Sequence, residues 1–317
     1  MIRFGAILVV AAIAAASVVT DPPSRFSRFG GSRHRSLTVF ASDGGQESFS
    51  RGQNIAPVYE GWEQNSDGSF NLVFGYFNRN WEEALDVPVG AENTLDPGGP
   101  DQGQPTRFLP RRNRFVFRVR VPKDFGKREI VWTLVSHGKT ERAYASLKPD
   151  YFIDDSVIMS NNGAAGMGGT DATLVGNKPP VLKIDGGTSR TAKAGESISL
   201  VATATDDGIP KPRPMQRVNP NFASRFTVDT ATGLRLSWFV YRGAGNVVFD
   251  PPQIKVWEDT RDGGGSPWSY GFRTPPAPPD GKWLVRATFP EPGTYVLRCL
   301  AHDGALSTAE DVTVTVR

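Results

Sequence analysis

The sequence contains very little cysteine and histidine. Among its 317 residues there are one cysteine and three histidines. A single cysteine excludes a scaffold held by internal disulfides and any cysteine-rich metal site. Three histidines exclude a histidine-rich metal cluster. The motifs H-E-x-x-H and G-x-S-x-G are also absent, so the chain carries no signature of a zinc protease or of an α/β-hydrolase nucleophile.

The chain also lacks the excess of basic residues that marks a nucleic-acid-binding fold. Its net charge is +3, from 36 basic and 33 acidic residues. One of these charges is Arg3, and residues 17–55 hold five arginines against three acidic residues. The remainder, 56–317, is therefore neutral overall. Because the basic excess lies outside the segments expected to fold, we expect no nucleic-acid partner.

The first 16 residues have the pattern of an export signal. Arg3 precedes an apolar run from Phe4 to Ala16, which is too short to span a bilayer, since that takes about 20 residues. Small residues at 14–16 suit cleavage before Ser17; an uncleaved anchor or a buried helix is the alternative. No later run reaches transmembrane length. We therefore expect an exported mature chain, periplasmic, surface-associated or secreted, without a transmembrane segment.

Composition divides the chain into five segments. They are a signal peptide (1–16), a flexible Arg/Gly/Ser-rich tail (17–55), an N-terminal β-rich segment (56–159), a Gly/Asn-rich linker (160–180) and a C-terminal β-rich segment (181–317). Short alternating segments separated by turn residues are typical of β-sandwiches. The predicted fold class is therefore all-β, with two β-sandwich domains joined by the linker; the immunoglobulin-like type comes from the resemblance described below.

In the N-terminal segment, alternating apolar residues predict two hairpins and one further strand. The predicted strands are Val58–Gln64, Ser69–Phe77, Arg114–Val121, Glu129–Val135 and Glu141–Leu147. In the third of these, Phe115, Phe117, Val119 and Val121 are expected to point inward and the arginines toward water. Trp81–Leu85 suggests one or two helical turns. Residues 87–112 form a long predicted loop, which is expected to be either functional or mobile.

In the C-terminal segment, seven short strands are predicted within about 140 residues. They are Val181–Asp185, Ser197–Thr205, Leu234–Tyr241, Gln253–Trp257, Trp283–Phe289, Thr294–Ala301 and Asp311–Val316. Turn residues separate them. This spacing predicts a sandwich of two sheets.

Two stretches of the C-terminal segment carry a family resemblance. KAGESISLVATATDDG (193–208) and FPEPGTYVLRCLAHDGALSTAEDVTVTV (289–316) resemble strands of bacterial immunoglobulin-like domains of the PKD and cadherin-like type. The resemblance implies that Trp238 lies in the core and that Tyr295 forms a tyrosine corner, its hydroxyl bound to backbone. Leu297 stands where antibody domains have cysteine, so their disulfide is lacking and Cys299 is expected to be a buried, inert thiol. The fold hosts many roles, so function does not follow from it.

Three carboxylates form the candidate metal site. Asp206 and Asp207 follow one predicted strand and Asp303 follows another, and these two strand ends are expected at the same pole of the sandwich. Ca²⁺ takes six to eight oxygen ligands, which carboxylates and carbonyls supply. The alternative is that each Asp-Gly pair simply makes a turn. No cofactor is expected other than this weak structural Ca²⁺.

Aromatic residues supply a second set of candidates. Trp268 and Tyr270 lie in a Gly/Pro-rich stretch, and Trp62 and Trp81 lie in the N-terminal segment. Exposed aromatic rings on a sandwich stack on sugars or contact partner proteins. The alternative is that these rings anchor loops to the domain surface.

These observations leave three functional hypotheses. The first is a non-catalytic exported binding or structural module of the cell envelope or extracellular space, acting through protein–protein interaction. The second is a carbohydrate-binding accessory protein with a polysaccharide partner. The third is an enzyme whose catalytic site lies under the 87–112 loop, where grouped carboxylates with raised pKa would support it. The first is the preferred reading.

The signal-peptide assignment predicts a defined mature terminus. When the full chain is expressed in a Gram-negative host, N-terminal sequencing of the exported protein is expected to begin at Ser17. Ala16→Arg is expected to block processing, because the cleavage site requires a small side chain. A mature protein that retains Met1 and stays in the membrane fraction would contradict the assignment.

Overall fold

The computed structural model describes residues 49–162, 172–212, 233–243, 245–253 and 277–317. Four sequence-based assignments fall wholly or largely outside these residues. They are the signal peptide, the 17–55 tail, the strand expected at Gln253–Trp257, and the pair Trp268 and Tyr270. Residues Ser48–Arg317 belong to one compact unit.

Eight strands belong to the N-terminal part of this unit. They are β1 (Ile55–Gln64), β2 (Phe70–Asn78), β3 (Leu85–Asp86), β4 (Asn93–Asp96), β5 (Arg107–Phe108), β6 (Arg111–Val121), β7 (Ile130–Ser136) and β8 (Lys139–Ala145). All pairings among them are antiparallel, and both predicted hairpins are present as β1–β2 and β7–β8.

The N-terminal strands form a two-sheet sandwich. One sheet has the order β1-β2-β6 and the other β4-β7-β8, and the short strands β3 and β5 pair with each other on either side of β4 in the sequence. With β1, β2, β4, β6, β7 and β8 as strands A, B, C, E, F and G, this is the immunoglobulin order without strand D. The sequence carried no family resemblance here, yet the strand order is the one found in the C-terminal sandwich.

Trp132 is the centre of the N-terminal core. Its side chain is fully buried on β7, and Phe74 and Phe117 from the facing sheet meet its ring edge to face at 5.9 and 4.9 Å. Its indole Nε1 donates to Asn93 Oδ1 at 3.0 Å. Large aromatic side chains bury the most area per residue, so this group joins the two sheets of the sandwich.

Two predictions for this part are wrong. Residues 81–85 form bends that lead into β3 and not helical turns. The 87–112 segment is not a free loop, because it contains β4, β5 and the start of β6, and Leu95 on β4 is 1% exposed. Asn93 holds the segment together: its Nδ2 donates to the carbonyls of Val87 and Pro105. Buried amide hydrogen bonds of this kind leave no apolar periodicity in the sequence.

Eight further strands belong to the C-terminal part. They are β9 (Val181–Ile184), β10 (Ser189–Ala192), β11 (Ser197–Thr205), β12 (Arg235–Arg242), β13 (Val248–Asp250), β14 (Lys282–Thr288), β15 (Gly293–His302) and β16 (Ser307–Val316). The short strands β10 and β13 were not predicted. The bounds of β11 are those expected from the sequence.

The C-terminal strands form an immunoglobulin-like sandwich. One sheet has the order β9-β11-β14-β13, which is the A-B-E-D order, and the other has β10-β16-β15-β12. In the second sheet β16, β15 and β12 are strands G, F and C, and β10 pairs with β16 in parallel. The all-β prediction is confirmed.

The core residues expected from the family resemblance lie where it implies. Trp238 is fully buried, and the hydroxyl of Tyr295 donates to the Glu291 carbonyl at 2.9 Å, as in a tyrosine corner. Cys299 is fully buried, and burial raises the pKa of its thiol well above the ordinary value. A buried thiol that resists ionisation is a poor nucleophile.

Short helices follow the N-terminal sandwich. A 3-10 helix (Pro149–Tyr151) precedes α1 (Asp155–Asn161), where Asp154 Oδ1 accepts from Val157 N at 2.9 Å as an N-cap. A second 3-10 helix (Ala172–Leu174) precedes β9. Among the described residues no helix is long and apolar enough to cross a membrane. The linker boundary at 160–180 stays a prediction, since 163–171 lie outside the described residues.

Candidate functional site

The 101–106 segment of the N-terminal sandwich docks on β12 of the C-terminal sandwich. Thr106 N donates to the Tyr241 carbonyl at 3.1 Å, and Gly243 N donates to Thr106 Oγ1 at 3.1 Å. The Tyr241 hydroxyl donates to the Gly103 carbonyl at 2.5 Å. Burial raises the pKa of this hydroxyl to about 12, so it remains a donor at all ordinary pH values.

Arg242 adds a second set of contacts at the same place. Its Nε donates to the Gln104 carbonyl at 2.8 Å, and its two terminal nitrogens donate to the Asp101 carboxylate at 2.8 and 3.0 Å. The hydrogen bonds from Arg242 hold the pKa of Asp101 below its usual range. A paired guanidinium and carboxylate of this geometry fix orientation as well as distance.

Arg298 on β15 is the most heavily engaged side chain at the junction. It donates to both oxygens of Asp311 at 2.7 and 2.8 Å, and its third nitrogen donates to the Val116 carbonyl at 2.6 Å. Its guanidinium also lies 3.5 Å from the centre of the Tyr241 ring. Burial opposes the charge on Arg298, but the contacts with Asp311 and Tyr241 outweigh it and raise its pKa.

The Val116 carbonyl reaches Arg298 because β6 is bulged. The register with β2 passes from Phe74↔Phe117 to Tyr76↔Asn113, which leaves Arg114–Val116 out of regular pairing. Phe115 has a φ of +51°, unusual for a bulky residue. The prediction that Phe115 points into the core by simple alternation is therefore wrong, although Phe117 does lie in the core.

A cleft of about 450 Å³ lies between the two sandwiches. Residues 112–118 of β6 form one wall, and the outer face of the β12-β15-β16 sheet forms the other, with Phe239, Tyr241, Arg298 and Leu300 among its residues. Volumes of roughly 300–1,000 Å³ are usual for ligand pockets. The cleft is therefore the candidate binding site. It was not predicted, because it exists only where two separately folded segments meet, but five arginines within 111–120 are visible in the sequence.

The three candidate metal ligands differ in whether their carboxylate oxygens are already hydrogen-bonded to backbone amides. Asp207 is used by the backbone, since its oxygens accept from Lys178 N at 3.0 Å and Ile209 N at 2.9 Å. Asp303 is fully buried, and its Oδ1 accepts from Ala305 N and Leu306 N at 2.5 and 2.7 Å. Its second oxygen is available for another contact.

Three buried oxygens at this pole accept no hydrogen bond from any described residue: Asp206 Oδ1, Asp303 Oδ2 and Asn177 Oδ1. The Asn177 side chain adjoins the Asp303 carboxylate and lowers its pKa, although the two do not reach hydrogen-bond geometry. Asn177 was not among the sequence candidates. Because buried acceptors almost always have a partner, this cluster favours either a cation or a shared proton.

Burial disfavours the ionised form of Asp303 more than its hydrogen bonds favour it. Burial raises the pKa of Asp303 to about 6, and the nearby Asp206 carboxylate contributes in the same direction. Burial also raises the pKa of Asp206. The Arg235 guanidinium faces Asp303 from β12, and burial lowers the pKa of Arg235 to about 10. Within the described ranges, no group of three or more His, Cys, Asp or Glu side chains is placed to hold a metal, so Asn177 is essential to any site here.

The two described aromatic candidates do not form a common strip. Trp81 is 7% exposed, and the Arg111 guanidinium covers its ring at 3.9 Å, so it is a buried contact and not a surface platform. Trp62 is half-buried, its Nε1 donating to the Lys148 carbonyl at 2.8 Å. Phe70 and Phe152 meet Trp62 at interplanar angles of 87° and 62°. Rings tilted in this way do not make the flat surface on which a sugar chain stacks.

The carboxylates with raised pKa do not group under the 87–112 segment. In the described part of the chain they are Glu60, Asp155, Asp206 and Asp303, and burial is the largest cause for each. Glu60 is the one nearest to that segment. It accepts from Arg112 at 2.7 Å through both oxygens and is therefore engaged in an ion pair. The enzyme hypothesis remains an untested prediction.

No protein-family model matches the sequence, and no curated protein matches it. Solved structures with similarity include a conjugative transposon lipoprotein from Bacteroides eggerthii, at 9% identity over 43% of this chain and 96% of that one, with a TM-score of 0.26. Domains 4 and 5 of the S-layer protein SbsC match at 10% identity over 83% and 98%, with a TM-score of 0.22. The titin M10–obscurin-like 1 complex matches at 17% over 44% and 95%, also at 0.22. The assignment of the fold rests on the order of the strands within the two sandwiches.

The contacts of Arg298 predict a large effect of its removal. Arg298→Met is expected to lower the free energy of unfolding by about 2 to 4 kcal/mol, because it leaves Asp311 and the Val116 carbonyl without their donor. Urea denaturation measures this. Arg120→Gln on β6 is the control, since its pair with Asp67 is exposed to solvent and contributes little to stability. Equal losses for the two variants would contradict the assignment.

Proposed function

We propose that this chain is an exported, non-catalytic binding or structural module of the cell envelope or extracellular space that acts through protein–protein interaction. The observation that carries the proposal is the cleft of about 450 Å³ between two immunoglobulin-like sandwiches. Contacts from the 101–106 segment and from Arg298 hold its two walls in a fixed relation. A pocket with pre-arranged walls loses little conformational entropy when a partner enters it.

The sequence supports the remaining parts of the proposal. Export follows from the pattern of residues 1–16, and the envelope or extracellular location follows from export. Within immunoglobulin-like sandwiches, we assign the C-terminal one to the PKD and cadherin-like type, on the stretches 193–208 and 289–316.

Site-directed photocrosslinking tests the proposed function. A photoreactive phenylalanine replaces Ala309, an exposed residue on the β12-β15-β16 wall of the cleft, in the full chain expressed in its native cells. We expect a discrete protein adduct that protease removes. The same substitution at Lys193, an exposed residue outside the cleft lining, is the control and is expected to give none. Absence of an adduct at Ala309, or an adduct that only glycosidases remove, would contradict a protein partner.

The three unsatisfied oxygens of Asp206, Asp303 and Asn177 favour a second role, and we infer a structural Ca²⁺ site there. Two carboxylates and an amide are oxygen donors of the kind that Ca²⁺ prefers, and water and backbone carbonyls supply the rest of its shell. Asp303 and Asp206 would hold the ion through the oxygens that have no hydrogen-bond donor. The ion would then replace the proton that burial otherwise favours on Asp303.

Calcium is expected to stabilise the wild-type chain. For an affinity of about 0.1–1 mM, typical of weak extracellular sites, 10 mM Ca²⁺ adds about 1.4–2.7 kcal/mol of unfolding free energy relative to EDTA. Asp303→Asn is expected to abolish the response, while Asp207→Asn retains it, because the oxygens of Asp207 bind backbone amides. A wild-type melting temperature that is the same with Ca²⁺ and with EDTA would contradict the site.

The pH dependence of the unfolding free energy, measured without Ca²⁺, tests the protonation of Asp303. The folded-state pKa of Asp303, about 6, lies above its ordinary value of 3.8, so the folded chain binds this proton more tightly than the unfolded chain. Stability is therefore lost as the pH rises through this window, by on the order of 1 to 3 kcal/mol between pH 4 and pH 7. Asp303→Asn removes this contribution. An unchanged pH profile would show that Asp303 does not titrate in this window.

A further inference from the structure

The cleft between the sandwiches is lined by arginine. Arg107, Arg112, Arg114, Arg118 and Arg298 border it, and Asp311 is the single carboxylate among the described lining residues. None of the described lining residues is lysine. Arginine presents a planar fork of donors that matches a carboxylate or phosphate, whereas lysine presents a point charge. The lining therefore suits a planar anionic group.

Carboxylates behind this wall hold the guanidinium groups in place. Both oxygens of Glu60 accept from one terminal nitrogen of Arg112 at 2.7 Å, and the other terminal nitrogen donates to the Tyr76 and Asn113 carbonyls. Glu63 accepts from two nitrogens of Arg118 at 2.8 Å. Neither glutamate lines the cleft. A guanidinium carries five N–H donors, of which a bidentate pair uses two. Each group is thus fixed from one side while it borders the cleft from another, which lowers the entropic cost of binding.

Arg114 is a partly buried cation that lies beside a second cation, Arg112. Burial, and then the neighbouring charge of Arg112, lower its pKa to about 10, and Glu60 only partly opposes this. Its Nη1 donates to the Asn161 carbonyl. A buried cation beside another cation gains when an anion enters the same space.

The opposite wall is apolar at its centre. Phe239 lies beside Arg298 in the register of β12 and β15, and Leu300 lies beside Ala309 in the register of β15 and β16. All four border the cleft. A ligand that fills it would therefore place a carboxylate toward the β6 wall and an apolar group against Leu300.

The β6 wall also offers backbone groups. Seven consecutive residues of β6, 112–118, line the cleft, and they include the bulge at Arg114–Val116, where the strand leaves regular pairing with β2. β6 is the last strand of the β1-β2-β6 sheet, so one edge has no strand partner among the described residues, and of its carbonyls the one at Val116 is already taken by Arg298. Such an edge pairs with an extended peptide by strand addition. Sugars and free phosphate lack the repeating amide needed for this.

We propose that the cleft binds an extended acidic peptide segment of the partner protein, in which aspartate or glutamate alternates with an apolar residue. The carboxylates face the β6 arginines, the apolar side chains lie on Leu300 and Phe239, and the peptide backbone pairs along β6. This inference rests on the proposed function, because it identifies the part of the partner that the cleft recognises.

Fluorescence anisotropy of the purified full chain tests the inference. The probe is a labelled hexapeptide of alternating glutamate and leucine, and the reference is the same peptide with every glutamate replaced by glutamine. We expect at least tenfold tighter binding of the acidic probe at 0.15 M salt, and a smaller difference at 0.5 M, since salt screens exposed charge. Methylation of alternate backbone nitrogens of the probe is expected to weaken binding at least tenfold. Equal binding of the two peptides would overturn the proposal.

Variants locate the binding. Ala309→Trp places a large side chain on the β12-β15-β16 wall of the cleft without changing any charge, and it is expected to abolish binding. Arg114→Gln is expected to weaken binding at least tenfold, and Arg120→Gln, an exposed arginine on the same strand outside the lining, to leave it unchanged. Melting curves establish that each variant folds. Loss of binding in Arg120→Gln equal to that in Arg114→Gln would overturn the site.

Competition distinguishes the source of the carboxylate. Glutarate that displaces the probe at the probe's own concentration would assign the cleft to a small free acid and overturn the peptide. If heparin binds, the Ala309→Trp variant loses that binding and the probe does not bind, the cleft would be assigned to a sulfated polysaccharide. This result would also overturn the peptide proposal. A protein adduct at position 309 without probe binding would retain the proposed function and reject the acidic peptide.

Discussion

One buried guanidinium determines how the two sandwiches meet. Arg298 is neutralised by Asp311 on its own sheet, yet it retains one nitrogen that must be satisfied elsewhere. The carbonyl that satisfies it, at Val116, is available only because β6 is bulged and releases that carbonyl from its ladder. A buried charge with an unmet donor is costly, so the requirement of Arg298 fixes the position of the N-terminal sandwich together with the hydrogen bonds of the 101–106 segment. The cleft follows from this constraint, since the same bulge forms one of its walls.

The strands were predictable where burial alone determines them. Ser197–Thr205 alternates without interruption, and the strand has those bounds because one face lies wholly in the core. The pattern failed where a distant contact outweighs alternation. Phe115 belongs to an alternating run, but the adjacent carbonyl is held by a residue 182 positions away, and the chain adopts a positive φ to reach it. β4 was missed for a related reason, because Asn93 fixes it through hydrogen bonds.

The candidate site was predictable in part. The placement of Asp206 and Asp303 at one pole follows from strand topology, which the family resemblance implied. The role of Asp207 depends on which backbone amides face it, and Asn177 comes from a linker without pattern, so neither follows from local sequence. The cleft is a property of two surfaces together. Its arginines are evident in the sequence, but their common orientation depends on the glutamates behind them.

The bulge of β6 also bears on the order of folding. During synthesis, Val116 leaves the ribosome long before Arg298, so its carbonyl lacks this donor until the C-terminal strands have been made. The unpaired edge of β6 is exposed over the same interval, and such an edge is a template for pairing between chains. Docking of the last-made strands then occupies it at Val116, whose carbonyl accepts from Arg298. A chain truncated before β15 would lack Arg298 and leave this carbonyl without its donor, so we expect such a chain to associate through the β6 edge more readily than the full chain.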